Sequence, residues 1–213
     1  ERLKLLTYPI YLELDVNFGI SQHQFHLAPA TSFLRLHNIE SYGDDLSEFR
    51  NTVVKANEEK RVVSGIEVGR AGLGIRGVSP VEYQGQDIGT VEFGLNLDRL
   101  LLKTLKDEYG YDFQIGLSKE AIEIATLASP EGFENVQSDQ ITLVVSTLSP
   151  PLLASDAKYS EALAGQEPEA EYITFNDLEY AIHTVPIVDF AGNIVGTLDI
   201  ISDHTEILAQ QRQ

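Results

Sequence analysis

The 213-residue chain contains no cysteine, no methionine and no tryptophan. Without cysteine it forms no disulfide bond, no thiolate zinc site and no CxxCH haem attachment, and it has no cysteine nucleophile. Cysteine-free chains occur in both redox compartments, so this absence leaves the compartment open. Because no initiator methionine is present, we expect the chain to be an excised piece of a longer protein.

Basic residues and long apolar runs are also scarce. Lys and Arg number 15 against 33 Asp and Glu, which gives a formal net charge of −18. Such a surface repels phosphate backbones and anionic lipid, so we expect no nucleic-acid partner. The longest apolar runs resemble "RLLLKTL", far short of the roughly 20 residues that cross a bilayer. No signal-peptide pattern is present either.

One sequence pattern occurs twice, about 107 residues apart. "GQDIGTVEFG" begins at Gly85 and "GNIVGTLDII" begins at Gly192. The first glycine of each copy suits a tight turn, and the second lets the returning strand pass close to its neighbour. The chain is therefore predicted to hold two copies of a mixed α/β unit, each ending in a hairpin that feeds a helix. The aligned positions are Pro80-Val81 with Pro186-Ile187, Gly89-Thr90 with Gly196-Thr197, Glu92 with Asp199, and Phe93 with Ile200.

Local patterns in the first half predict helices around a hairpin. The opening twenty residues indicate the end of a helix, in which Pro9 marks a kink or a boundary. "QHQFHLA" and "TSFLRLHN" alternate as two strands with "PAT" as the turn. Asp44 or Asp45 is predicted to cap a short helix with Leu46, Phe49, Val53 and Val54 on its buried side. Strands Ile75–Val81 and Ile88–Leu95 form the predicted hairpin.

The second half is predicted to repeat this plan. Asp98 caps a helix that Gly110 ends. The strands predicted after it are "YDFQIGLS", "ITLVVSTLS" and three in "YITFNDLEYAIHTVPIVDFAGNIVGTLDIIS". Helices are predicted in "SKEAIEIATLAS", in part of "DAKYSEALAGQEPEAE", which ends in a loop, and from Asp203 onward. In the two repeated strands the apolar residues alternate with the acid, so Val91 and Phe93, or Leu198 and Ile200, are expected to face a core.

The pattern "PV-turn-GxxxGTVEFG" before a helix resembles the last strands of Cache domains. These are PAS-like extracytoplasmic sensor modules of bacterial chemoreceptors, histidine kinases and diguanylate cyclases. The stretch "FHLAPATSFLRLHNIESYGDDLSEFRNTVVKANEEKRVVSGIEVGRAGLGIRGVSPV" is similar to the membrane-distal half of a double Cache sensor of type 3. This resemblance covers residues 20–97, whereas the second half matches through its three final strands.

The resemblance implies an α+β fold of two tandem PAS-like modules, each a mostly antiparallel sheet flanked by helices. Residues 1–97 would form the membrane-distal module with the end of a long N-terminal helix. Residues 98–213 would form the membrane-proximal module with the start of an exit helix. The chain would then be the periplasmic or extracellular ectodomain of an inner-membrane receptor, homodimeric at full length. It would meet the membrane only through flanking helices and would be neither an enzyme nor a cofactor protein.

A group of cationic side chains in the first half forms the candidate ligand site. Phe33, Arg35 and His37 are expected to share one strand face, His26 shares a face with Gln24, and Arg76 lies opposite in phase to Leu73 and Ile75. Arginine grips carboxylates with two parallel hydrogen bonds. We therefore expect a basic patch that binds a small organic anion, a carboxylate or an amino acid, with Phe33 as an apolar wall. The alternative is that these groups pair with local Asp and Glu or lie solvated. The complete candidate set is His26, Phe33, Arg35, His37, Arg70 and Arg76.

Other motifs do not support a second chemistry. "GLGIRG" fits GxGxxG, but "VSPV" follows it where a dinucleotide site needs a helix. "DDLSE" and "EPEAE" lack the DxDxDG spacing of a calcium loop. His183 and His204 have no second histidine at zinc spacing, so no metal is expected. No GxSxG elbow is present. The open alternatives are a secreted or periplasmic hydrolase and a structural ectodomain without a ligand.

Overall fold

The computed structural model describes residues 1–126, 138–205 and 207. The chain divides into two compact units. Unit 1 comprises Glu1–Leu97 with Asp189–Ala191, and unit 2 comprises Asp98–Val188 with Gly192–Gln213. Each unit holds a five-stranded sheet, so the predicted α+β fold with two tandem modules and an N-terminal helix is confirmed.

In unit 1 an antiparallel sheet is flanked by two helices. Its strand order is β2-β1-β5-β4-β3. Helix α2 packs against β3, β4 and β5, while Tyr11 of α1 lies edge-on to the ring of His23 on β1. The elements are α1 (Arg2–Phe18), β1 (Gln22–Leu27), β2 (Thr31–Arg35), α2 (Asn51–Glu59), β3 (Val63–Gly69), β4 (Gly72–Tyr83) and β5 (Gln86–Asn96).

Unit 2 repeats this strand arrangement, with the order β7-β6-β10-β9-β8. Asp98 caps α3 through the N–H groups of Leu100 and Leu101, and Gly110 ends the helix in the left-handed conformation, as predicted. The elements are α3 (Arg99–Tyr109), β6 (Asp112–Leu117), α4 (Lys119–Ile124), β7 (Thr142–Ser146), α5 (Asp156–Leu163), β8 (Glu171–Phe175), β9 (Leu178–Val188) and β10 (Ile194–Asp203).

The predicted repeat is confirmed in the strand register. Val81 pairs with Gly89 in unit 1, and Ile187 pairs with Gly196 in unit 2. A Cβ on Gly89 would overlap the carbonyl oxygen of His26, and one on Gly196 would overlap that of Gly116. The second glycine of each copy therefore allows the close strand approach that the sequence predicts, because any side chain there would displace the neighbouring backbone.

Apolar cores lie under the helices of both units. In unit 1 the core joins α2 to the sheet and consists of Ala30, Leu46, Val53, Ala56, Val63 and Val78. In unit 2 the core joins α5 to the sheet and consists of Ile141, Leu152, Ala154, Tyr159, Ile182 and Ile201. Side chains that reach the α2 face or the α5 face of the sheets are thereby removed from water.

The helix predicted to begin at Asp44 or Asp45 begins instead at Asn51, with Arg50 as its N-cap residue. Asp44 forms an ion pair with Arg35, and Asp45 accepts a hydrogen bond from the N–H of Ser47 and bridges to Thr31 of β2. The two aspartates therefore fasten an irregular segment to the sheet edge and do not cap a helix. Leu46 and Val53 are buried as predicted.

The expectation that Val91, Phe93, Leu198 and Ile200 face a core is met only in part, because the acids between them are the more buried residues. Glu92 and Asp199 are both buried, whereas Val91, Phe93, Leu198 and Ile200 are half-buried. In unit 1 the reason is visible, since α1 and α2 cover opposite faces of the sheet. Alternation along a strand then no longer separates core from solvent.

Two predicted elements extend beyond the described residues. The helix predicted in "SKEAIEIATLAS" is observed as α4 up to Ile124, and its last residues, from 127 onward, lie outside the described part. The helix predicted from Asp203 falls mostly on residues 206 and 208–213, which also lie outside it. In the part of the chain that is described, no helix is both long and apolar enough to cross a membrane.

Candidate functional site

Three of the six predicted site residues meet on the α2 face of the unit 1 sheet. His26, Arg35 and Arg76 lie on β1, β2 and β4, and all three surround the pair formed by Gln24 and Glu92. Gln24 and Glu92 are direct cross-strand partners, so their side chains share this face. We call the group His26, Arg50, Glu67, Arg76 and Glu92 the buried polar cluster.

Arg76 is the buried cation at the centre of this face, with 1% of its surface exposed. Its Nη1 lies 3.8 Å from Oε1 of Glu92. Neither Nε nor Nη1 of Arg76 has a hydrogen-bond partner among the described residues, and the same holds for Oε1 of Glu92. Burial lowers the pKa of Arg76 to about 10 despite the neighbouring Glu92, so the guanidinium stays charged at neutral pH.

Glycines leave the space that this guanidinium occupies. A Cβ on Gly94 would overlap Nη1 of Arg76, and a Cβ on Gly74 would lie 2.8 Å from Nη2. Gly94 lies directly opposite Arg76 in the sheet. The side chain therefore lies flat over neighbouring strands where any larger residue would displace it.

Glu92 is fully buried and is the acceptor that ties the cluster together. It forms an ion pair with Arg50 and accepts a hydrogen bond from Nε2 of Gln24 at 3.3 Å. Burial opposes its ionisation, but the charges of Arg50 and Arg76 outweigh burial and lower the pKa of Glu92 to about 2. The carboxylate is therefore ionised throughout the physiological range.

Arg50 and Glu67 complete the charge balance of the cluster. Nε of Arg50 lies 2.9 Å from Oε2 of Glu67, and Thr52 donates to Glu67 from its backbone N–H at 2.8 Å and its hydroxyl at 2.7 Å. Burial lowers the pKa of Arg50, but Glu92 and Glu67 more than reverse this, so its net shift is upward. Two guanidinium groups thus face two carboxylates, and the expected basic patch is instead a neutral network.

His26 adds a neutral imidazole to this network. Its Nδ1 lies 3.1 Å from the Thr90 hydroxyl, and its Nε2 lies 3.7 Å from Oε2 of Glu92. Burial lowers the pKa of His26 to about 4, although Glu92 raises it. At neutral pH the ring is therefore uncharged and one nitrogen is free to accept a hydrogen bond.

Arg35 is engaged with the segment that follows β2. Its guanidinium donates to both carboxylate oxygens of Asp44 at 2.8 Å and to the carbonyl oxygen of Ser41 at 2.9 Å. Its Nε donates to Oε1 of Gln24 at 3.1 Å. Since Gln24 in turn donates to Glu92, Arg35 is joined to the buried polar cluster through a neighbour and not by direct contact.

The expectation that Phe33 shares a face with Arg35 is wrong. The register between β1 and β2 shifts where Phe25 pairs with Leu34 and His26 pairs with Ser32. Phe33 is the extra residue of this β-bulge, which breaks the alternation of side chains. The residue is 51% exposed and lines an open groove of about 360 Å³ together with Lys4, Leu34, Ile39 and Tyr42.

Arg70 and His37 also lie outside the cluster. The Arg70 side chain is 51% exposed, 3.5 Å from Asp44, and its guanidinium lies 5.9 Å from the centre of the Phe49 ring. Nδ1 of His37 accepts a hydrogen bond from the N–H of His23 at 3.3 Å, and burial lowers the pKa of His37 to about 4. Arg35 and Arg70 therefore both pair with a local acid, Asp44, which is the alternative that the sequence left open.

Sequence reasoning missed Gln24 as a connector and missed Arg50, Glu67 and Glu92 altogether. Glu92 carried a usable signal, because an acid recurs at the aligned position Asp199 in the repeat. "QHQFH" carried another, since its first, third and fifth residues are polar and all three are buried. No sequence pattern marked Arg50 as a site residue, because its position depends on where α2 begins.

The chain matches the family model of type 3 double Cache domains, described as the double sensory domain of two-component sensor kinases, over residues 1–208. A search of curated proteins found no match. Among solved structures, an extracellular ligand-binding receptor from Desulfohalobium retbaense is 13% identical with a TM-score of 0.50. The alignment covers 94% of this chain but 33% of that receptor, so the chain spans a third of its length.

Two chemoreceptor domains are also similar. The ligand-binding domain of Campylobacter jejuni Tlp3, in complex with 4-methylisoleucine, is 12% identical with a TM-score of 0.48, and the alignment covers 93% of this chain and 71% of that one. The ligand-binding domain of Pseudomonas fluorescens CtaA, in complex with L-serine, is 13% identical with a TM-score of 0.42, over 94% and 87% of the two chains.

Proposed function

Because the chain belongs to the type 3 double Cache family of sensory domains, we propose that unit 1 is the module that binds its ligand. The ligand is a small amino acid held at the buried polar cluster. Ligand occupancy is the input of a transmembrane receptor whose membrane-distal module is residues 1–97 and whose membrane-proximal module is residues 98–213. Both units lie outside the cytoplasm, and the chain acts by binding and not by catalysis.

One observation carries this proposal. Two guanidinium donors of Arg76 and one carboxylate oxygen of Glu92 lack hydrogen-bond partners among the described residues, although both side chains are buried. A buried donor or acceptor without a partner costs about 1–3 kcal/mol. An amino acid offers a carboxylate to Arg76 and an ammonium group to Glu92, whereas a simple carboxylate satisfies only Arg76. The neutral balance of the cluster favours a ligand without net charge.

The six predicted site residues take different roles in this proposal. Arg76 and His26 contact the ligand, and Arg35 positions Gln24 and thereby Glu92. Phe33, His37 and Arg70 lie outside the cluster and make no contact with the ligand. Glu92, absent from the predicted set, accepts the ammonium group of the ligand, and Arg50, also absent from it, holds Glu92 in place.

Calorimetric titration of the purified chain tests the proposal. The probes are the twenty L-amino acids and the matching carboxylates that lack the amino group. We expect at least one amino acid to bind and its des-amino analogue to bind at least tenfold more weakly. Arg76→Lys removes the two-pronged grip and is expected to weaken binding at least tenfold, while the exposed Arg70→Ala binds as the wild type.

Two outcomes contradict the amino-acid proposal. The first is a folded wild type, judged by circular dichroism, that binds no probe. The second is a folded Arg76→Lys that binds as tightly as Arg70→Ala. Equal affinity for the amino acid and its des-amino analogue reassigns the ligand to simple carboxylates and leaves the sensory role of the family in place.

We further propose that the receptor is a homodimer joined along α1. Leu5, Pro9, Leu12 and Val16 lie at the i, i+4, i+7, i+11 spacing of a coiled-coil seam. All three of Leu5, Leu12 and Val16 are exposed in the chain. Analytical ultracentrifugation is expected to show dimers that Leu12→Glu weakens. Leu6→Glu, an exposed position off the stripe, serves as the control, and equal effects of both variants contradict the proposed seam.

The extracytoplasmic location is tested in the natural protein in intact cells. Because the chain has no cysteine, an introduced one is the only cysteine within it, and labelling of the unsubstituted protein is the control for cysteines elsewhere. Tyr42 and Tyr83 are both exposed residues of unit 1. Cysteine at either position is expected to react with a membrane-impermeant maleimide without lysis, and labelling only after lysis contradicts the proposal.

A further inference from the structure

Asp199 occupies in unit 2 the position that Glu92 occupies in unit 1. Glu92 pairs across the sheet with Gln24 of β1, and Asp199 pairs with Gln114 of β6. Both acids are buried to about the same degree. The two units therefore place a carboxyl group at the same point of the same sheet and surround it with different chemistry.

Hydroxyl groups take the place of arginines around Asp199. The Tyr159 hydroxyl of α5 donates to Oδ2 at 2.8 Å, and the Thr184 hydroxyl of β9 donates to Oδ1 at 2.8 Å. Within the described residues, no ion pair includes Asp199. Among the described residues, the titratable groups packed around this core include Tyr159, Tyr180 and Glu171, and the charge of Glu171 acts on Tyr159. A buried carboxylate without a cation favours its protonated form.

We infer that unit 2 is a proton sensor, in which Asp199 takes up and releases a proton and α5 responds. This function is separate from ligand binding in unit 1. The proton adds to one carboxylate oxygen from solvent, and no other bond is made or broken. The new O–H then needs an acceptor, and the Tyr159 oxygen lies within hydrogen-bond distance.

Tyr159 connects this event to the backbone ahead of α5. Its oxygen accepts the N–H of Ala154 at 3.1 Å, and Ser155, the N-cap residue of α5, donates its N–H to Glu171 at 2.7 Å. When the proton lies on Oδ2, Asp199 becomes the donor to Tyr159, and the Tyr159 hydroxyl turns its own proton away from the carboxyl group. The segment 152–163 is therefore the part of unit 2 that protonation rearranges.

The direction of the response follows from linkage. Burial raises the pKa of Asp199 to about 6 from 3.8, although the hydrogen bonds from Thr184 and Tyr159 oppose the rise. Between these two values the folded unit binds more protons than the unfolded chain, so its stability rises as pH falls and is lost as pH rises through about 6. From these values, global protection of unit 2 amides is about tenfold higher at pH 5 than at pH 7.5.

Two measurements on the whole chain test the inference. Carbon-13 NMR of labelled aspartate carboxyl groups follows the titration of Asp199, whose signal is the one that Asp199→Asn lacks. We expect this titration to have its midpoint near pH 6. Hydrogen exchange of segment 152–163, corrected for intrinsic pH dependence, is expected to slow about tenfold from pH 7.5 to pH 5 in the wild type and to change less than twofold in Asp199→Asn. Thr184→Val, which removes one donor, is expected to raise the midpoint and provides a second assignment if Asp199→Asn does not fold.

A midpoint below pH 5 overturns the inference, because the proton would then bind outside the range in which it can signal. A midpoint near pH 6 with no change in the exchange of segment 152–163 overturns it too, since Asp199 would then be a buried acid without a response. Both outcomes leave the amino-acid site of unit 1 untouched, because that site is measured by ligand titration at constant pH.

Discussion

Arg76 shows how a single side chain depends on residues that have none. Its guanidinium occupies space that Gly74 and Gly94 leave open, and a buried cation that loses its place also loses Glu92 as a partner. Breaking a buried ion pair costs about 3–5 kcal/mol when one charge is left uncompensated. The position of Arg76 is therefore sensitive to changes at the glycine opposite it.

We predict that Gly94→Ala displaces Arg76. The new methyl group overlaps Nη1, and overpacking of this kind costs about 1–3 kcal/mol. Gly77→Ala is the matched control on the neighbouring strand, because nothing lies within 4 Å of its Cβ, and it is expected to be neutral or slightly stabilising. Denaturant unfolding measures both, and equal stability of the two variants contradicts the prediction.

The members of the candidate site were only partly predictable from their residue types. Arg76 and His26 were identified as members of an expected basic patch, because cationic and imidazole side chains lie at regular positions of neighbouring predicted strands. Phe33 was misplaced because a β-bulge leaves no mark in the sequence of β2. Arg50 was missed because the start of α2 is decided by Asp44 and Asp45 bonding elsewhere, which depends on residues that are distant in sequence.

At the scale of elements, the repeated hairpin is the most predictable part of the chain. Its turn glycines have positive φ, 77° at Gly85 and 87° at Gly192, and its second glycines lie against a neighbouring strand. The faces of the hairpin strands were not predictable from alternation, because that requires knowing that helices cover both sides of the sheet. The recurrence of an acid at Glu92 and Asp199 was the better guide to what lies inside.

We predict that Gly196→Ala destabilises unit 2 by about 3 kcal/mol or more. Its Cβ overlaps the backbone oxygen of Gly116, which cannot move without separating β10 from β6, and overpacking against backbone falls at the upper end of the usual range. Gly192→Ala, in the turn of the same hairpin, meets no neighbour within 4 Å and loses only the cost of positive φ, about 1–2 kcal/mol. Thermal unfolding compares the two, and a larger loss for Gly192→Ala contradicts the steric argument.

At the scale of the whole chain, the two units are expected to respond to acid in opposite directions. Burial lowers the pKa of His26 and of His37 in unit 1 to about 4. Stability from these neutral rings is fully present above their unfolded pKa, near 6.5, and is lost as pH falls towards about 4. Asp199 in unit 2 acts in the opposite sense over nearly the same range.

We therefore predict that lowering the pH from 7.5 to 5 separates two unfolding transitions in scanning calorimetry, with unit 1 melting earlier relative to unit 2. Glu92 does not contribute, since the arginines keep its pKa near 2. By linkage, each imidazole lowers the stability of unit 1 at pH 5 by up to about 2 kcal/mol relative to neutral pH. His26→Gln is expected to reduce the shift of the unit 1 transition, and Asp199→Asn that of the unit 2 transition. Equal shifts of both transitions in the wild type contradict the prediction.

The links of Glu92 to Gln24 and Arg50 have a consequence for how unit 1 folds. They join residues 68 and 42 positions apart, whereas the hairpins formed by β3, β4 and β5 join neighbours in sequence. Long loops close at a greater entropic cost than short ones, and an ionised carboxylate gives up its water only when its arginines have arrived. We therefore expect the hairpins to form first and the polar interior to lose its water late in folding.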